Sequence, residues 1–69
     1  MEILDKPSYE KYEALRNKKG YINIEVARKT GIPLCSFSNW KAGRRAFKAD
    51  KILKIAKLFD VEMEYFYTN

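Results

Sequence analysis

The sequence predicts an all-α fold, on three observations. Apolar residues recur at helical spacing, and no stretch keeps the alternation of a strand. Gly, Pro or Asp punctuates the chain at short intervals, at Gly20, Gly31 to Pro33, Gly43 and Asp60. Sixty-nine residues make one domain with a thin core, since a chain this short buries roughly 60% of the surface its unfolded form exposes. A composition 46% hydrophobic and 14% aromatic is that of a folded chain and argues against disorder.

Each element has its own signals. Ser8 is placed to cap a first helix, with Glu10 in the first turn, where a carboxylate suits the helix dipole. Tyr12 and Leu15 give it an inward stripe, Arg16, Lys18 and Lys19 crowd its end, and Gly20 stops it. Asn23 reads as the cap of a second helix, about 23–30, with Val26, Ala27 and Thr30 on one side. Gly31-Ile32-Pro33 ends that helix: Gly admits left-handed backbone, and Pro disfavours helix at the residue before it. Pro33 then opens a third helix, about 33–42, whose Phe37 and Trp40 lie three apart and face inward. After Gly43, Arg44-Arg45-Ala46-Phe47 is a basic connector without periodicity. The fourth helix, roughly Lys48 to Phe59, has the clearest amphipathic pattern, in Ile52, Ile55, Ala56 and Phe59. A final turn, Val61 to Tyr67, directs Met63 and Phe66 inward and brings the helix count to five. Residues 1–7 read as an N-terminal arm and 8–69 as the domain.

The formal charge of +5 is unevenly distributed. Residues 1–15 carry a net −2 and residues 58–69 a net −3, whereas 16–40 carry +4 and 41–57 carry +6. A polyanion would therefore meet the middle of the chain. Two short helices joined by a Gly-containing turn form a helix-turn-helix unit, with the small Ala27 where the helices cross. With Phe37 set at zero and a step of about 100° per residue, the buried direction of the third helix lies near −30°. Cys35, Asn39 and Ala42 then point roughly 140° to 200° away, with Ser38 at about 100°. This outward face is small and polar and lacks the Lys and Glu that solvate most exposed helices. It suits the floor of a nucleic-acid groove; a surface that docks protein would look similar.

Residues Leu15 to Phe66 resemble the phage-repressor and Cro type of helix-turn-helix domain, the XRE or lambda-repressor-like family. The resemblance rests on Leu15-Arg16, Asn23-Ile24-Glu25-Val26-Ala27, Gly31-Ile32, Phe37-Ser38-Asn39-Trp40-Lys41-Ala42-Gly43 and the run Ile52 to Val61. It implies a compact five-helix domain that lays its third helix in the major groove of duplex DNA. By position, it implies base contacts from Leu34, Cys35, Ser38 and Asn39. Asn39 can pair bidentately with adenine, and Leu34 can touch a thymine methyl. Phosphate contacts fall to Asn23, Ser36, Lys41, Arg44 and Arg45, and Lys48 adds another because it stands nearest the connector. The resemblance further implies a homodimeric transcriptional regulator, a repressor of phage or mobile-element type. Leu34 and Cys35 stand where relatives often carry Gln, Arg or Ser. Pro33 replaces the usual Ser or Thr cap, and Phe47 replaces a common proline. These departures imply altered specificity rather than lost binding. The competing expectation is a helix-turn-helix that has exchanged base reading for protein docking, in the manner of an antitoxin or regulatory partner.

Other functional classes find little support. The chain has no His, no paired-cysteine motif and no Gly-rich phosphate loop, so no enzyme, metal site, cofactor or small-molecule substrate is expected. A single cysteine suits a reducing compartment; Cys35 reads as a small outward residue rather than a redox sensor. Met1 to Pro7 carries no apolar run of signal-peptide length, and lysines interrupt Ile52 to Phe59, so a cytoplasmic protein without a membrane span is expected. Tyr65 and Tyr67 are expected partly exposed, at a dimer contact.

Overall fold

A computed structural model describes residues 3–68; Met1 and Glu2 of the arm and the terminal Asn69 lie outside it. Four α-helices, α1 (Tyr9–Lys19), α2 (Asn23–Thr30), α3 (Leu34–Lys41) and α4 (Ala49–Phe59), precede a 3-10 helix, Met63–Tyr67. The class is all-α as expected. The count differs slightly, because the last turn winds as 3-10 rather than as a fifth α-helix.

The helix ends follow local chemistry. Ser8 caps α1 by accepting from the Lys11 N–H at 3.3 Å, and Gly20 closes the helix in left-handed backbone. The cap of α2 is Ile22 and not Asn23, a one-residue correction. Glu25 reaches back to accept the Ile22 N–H at 3.2 Å, which supplies half of a capping box without a capping side chain. Gly31, at φ 78°, makes the turn that sends the chain from α2 into α3. There the Thr30 hydroxyl donates to the Val26 carbonyl at 2.7 Å, and Ile32 is buried beneath the turn. Asp60, in left-handed backbone at φ 58°, stops α4.

All four inward positions of α4 (Ile52, Ile55, Ala56 and Phe59) are buried, as are Phe37, Trp40, Tyr12 and Phe66. α2 packs on both α3 and α4, and the 3-10 helix packs on α1 and α4. Phe47, read from the sequence as part of a plain basic connector, is instead a core residue. It stacks on Trp40 at a centroid distance of 4.6 Å and meets Phe37 edge-on at 5.1 Å. Tyr12 closes the same cluster from α1, 5.2 Å from Trp40 and 5.5 Å from Phe37. Burying aromatic side chains of this size stabilises by about 1.5–3 kcal/mol each, so these few rings carry much of a thin core.

The N-terminal segment is tied down rather than free. Ile3 pairs with Thr68 in a single antiparallel bridge, Leu4 donates to the Tyr67 carbonyl at 2.6 Å, and Ser8 donates to that of Phe66 at 2.7 Å. The buried Trp40 indole donates to the Pro7 carbonyl at 3.2 Å, joining this segment to α3. No helix among the described residues is long and apolar enough to cross a membrane.

Candidate nucleic-acid interface

α3 is two-sided. Phe37 and Trp40 fix its inner side, at 0% and 4% exposure. On its outer side Leu34, Cys35, Ser38 and Ala42 are exposed, and Asn39 is half-buried at the margin. This is the division that the 100° step requires. Leu34 keeps 42% of its surface exposed at the N-terminal end, where it follows the cap residue Pro33.

Gly43, at φ 77°, reverses the chain after α3 and brings the next two residues back over the helix end. The Asn39 carbonyl accepts both the Arg44 N–H at 2.9 Å and the Arg45 N–H at 3.3 Å. The Arg44 side chain also returns: its Nε donates to Asn39 Oδ1 at 3.2 Å. Both arginines are exposed. A concavity beside the helix is lined by Ser36, Asn39, Arg45, Lys48, Asp50 and Lys51. A second concavity, across the connector, takes in Lys6, Lys41, Arg44 and Arg45. Ser36, Asn39, Arg45 and Lys48 thus come together on one flank of α3, whereas Lys41 and Arg44 lie beside Trp40 and the N-terminal segment at the end of the helix, with Arg45 reaching both.

Two cations were not singled out in the sequence. Lys51 follows Lys48 by three and lies one turn on, its ammonium 5.5 Å from the centre of the Phe47 ring. Helical spacing from Lys48 carried that signal. Lys6 reaches the site only because residues 3–8 pair with the C-terminal end, and no local pattern announces that. Lys54 and Lys57 gather with Lys29 in a separate shallow depression, away from this set.

Asn23 stands apart from the other expected residues. Its Oδ1 accepts from the Tyr12 hydroxyl and from Arg16 Nη1, each at 2.7 Å, while its Nδ2 donates to the Tyr9 hydroxyl at 3.1 Å. The amide is engaged at both ends, which leaves the second Nδ2 hydrogen and the backbone N–H, in the first turn of α2, for an outside acceptor. Burial pushes the Tyr12 phenol up from its ordinary range, against the lowering influence of the nearby Arg16 guanidinium.

These features define a class: a helix-turn-helix domain whose second helix of the pair is presented outward between cations. The chain belongs to the helix-turn-helix family, whose model matches residues 13–66. The family consists of DNA-binding regulators rather than enzymes, and membership assigns this chain sequence-specific DNA binding in transcription regulation. Its fold is similar to the crystal structure of the restriction-modification controller protein C.AhdI from Aeromonas hydrophila. The TM-score is 0.77 over 86% of this chain and 89% of that one, at 24% identity. No curated protein sequence matches the chain.

Proposed function

We propose that this chain binds its operator by laying the outer face of α3 in the major groove, with Leu34, Cys35, Ser38 and Asn39 on base edges. Ser36, Lys41, Arg45 and Lys48 hold the flanking phosphates, joined by the backbone N–H of Asn23; Arg44 stands between the two sets. One observation carries this reading. The side of α3 opposite Phe37 and Trp40 is uncovered by the rest of the chain and is bordered by cations from both the connector and α4. Small residues on that face let the helix backbone approach the base edges, and phosphate contacts at its borders fix the register.

The protein is read as a transcriptional repressor of phage or mobile-element type acting in the cytoplasm, and the likeness to a restriction-modification controller favours such a setting. It acts as a homodimer on half-sites about 34 Å apart, the separation set by one turn of the duplex. Tyr65 and Tyr67, both half-buried in the single chain, offer a contact surface for the second copy. The binding unit is the 8–69 domain together with residues 3–7 of the arm, which pair with its C-terminal end and hold Lys6 at the site.

Selection from a randomised duplex library tests this reading, followed by affinity measurements across salt. About 4–6 phosphate contacts per protomer, hence about 8–12 for the dimer, predict a loss of roughly four to six orders of magnitude between about 50 and 200 mM salt. Arg45→Ala and Lys48→Ala weaken all sequences alike, and Asn39→Ala erases preference at one position. The exposed Leu34 also fits a protein-docking role, for which association would be nearly insensitive to salt and no duplex would be enriched.

A further inference from the structure

We propose that Asn39 and Arg44 act as one recognition unit that selects guanine, with Arg44 as the positioning residue that decides what Asn39 can read. The inference rests on the reading above that the outer face of α3 meets base edges.

An asparagine alone pairs with adenine, because its amide offers one acceptor to the N6 amino group and one donor to N7. Here the acceptor is already engaged. Arg44 Nε, a group that only donates, faces Asn39 at 3.2 Å, so the atom opposite it is the carbonyl oxygen and the amide is held in one orientation. Two backbone bonds fix the geometry: the Arg44 and Arg45 N–H groups both close on the Asn39 carbonyl. The left-handed Gly43 supplies the reversal that makes this return possible.

What remains free on the pair is uniform in chemistry. Among the described residues, Asn39 Nδ2 and the two terminal nitrogens of Arg44 have no hydrogen-bond partner, and all of them are donors. An adenine amino group brought to the remaining lone pair of Oδ1 would lie beside a cationic donor fork. Guanine presents two acceptors, N7 and O6, on the same edge and suits a donor-only surface. The pair thus matches an acceptor-rich base where the lone asparagine would match adenine.

The test runs duplex selection on the wild type, Asn39→Ala, Arg44→Ala and Arg44→Lys. It also follows the Asn39 side-chain amide by NMR in the DNA-free protein. The position whose preference Asn39→Ala erases is expected to be guanine in the wild type, favoured about tenfold over adenine. Arg44→Ala frees Oδ1, so that position shifts toward adenine, and the Asn39 amide signals move before any DNA is added. Arg44→Lys keeps the charge and the salt dependence but not the planar Nε donor, and loses the guanine preference as well. Adenine at that position in the wild type would overturn the pairing. So would an Arg44→Ala protein that weakens all sequences equally with its preference intact, since Arg44 would then be a phosphate contact only. Either result leaves groove reading by α3 standing, whereas a wild type that enriches no duplex brings down both.

Discussion

Asn23 and Asn39 each accept a hydrogen bond from an arginine, and the two pairs do different work. Asn23 is enclosed: Tyr9, Tyr12 and Arg16 take up both ends of its amide and lock the start of α2 onto α1. Asn39 is open: Arg44 engages one end in an exposed bond, and the other end has no partner among the described residues. The difference lies in what surrounds each pair. An amide ringed by partners from the same chain holds the fold, whereas an amide with an unused donor on an exposed helix face is available to a ligand.

That contrast can be broken or sharpened by substitution. Removing what stands between the pairs has the largest effect. Trp40 touches Tyr9 and Tyr12 on one side and Phe47 on the other, and Trp40→Ala is expected to cost about 3–5 kcal/mol in a urea titration. In a domain this small, such a loss abolishes most folded population at 37 °C. Asn23→Ala leaves the Tyr12 hydroxyl without its acceptor and the Arg16 guanidinium with Asn17 alone. It should lower stability by about 1–3 kcal/mol while leaving the sequence preference of the folded fraction unchanged.

Tyr12 gives the enclosed pair a pH signature. An unfolded phenol loses its proton near pH 10, whereas burial holds the folded one above that range. The folded state therefore retains a proton that the unfolded state releases. Stability should be flat below about pH 10 and fall as pH rises beyond it. Tyr12→Phe is expected to remove this alkaline slope in denaturation measured across pH.

Smaller effects bear on the open pair. A Cβ at Gly43 would meet nothing within 4 Å, so Gly43→Ala is opposed only by its φ of 77°. The expected cost is about 1–2 kcal/mol by thermal unfolding, with loss of base preference as Arg44 moves off Asn39. Asn39→Ala should change stability least, by less than about 0.5 kcal/mol, although it alters which duplex is bound.

The helices themselves were readable from the sequence. Ile52, Ile55, Ala56 and Phe59 at helical spacing, Phe37 and Trp40 on the inner side of α3, and glycines at three helix ends all stand as their local chemistry requires. What escaped local reading depends on contacts far along the chain. Phe47 joins the core because the connector folds back over Trp40, and Lys6 reaches the interface because its segment pairs with residues 66–68. For the candidate site, the face of α3 was legible from helical geometry, since it needs only one helix and one buried direction. The divergence of the two asparagines was not. Asn23 and Asn39 look equivalent as polar residues of adjacent short helices, and only tertiary structure surrounds one with tyrosines and leaves the other at the surface.

Backbone amide shifts measured while a selected duplex is titrated into the protein test most directly which surface meets DNA. Perturbations are expected to concentrate on Leu34 to Lys41 and on Arg44 to Lys51, with a weaker group at Asn23 and Ile24. Shifts centred instead on the 3-10 helix and the outward side of α1, with α3 silent, would contradict groove reading by α3.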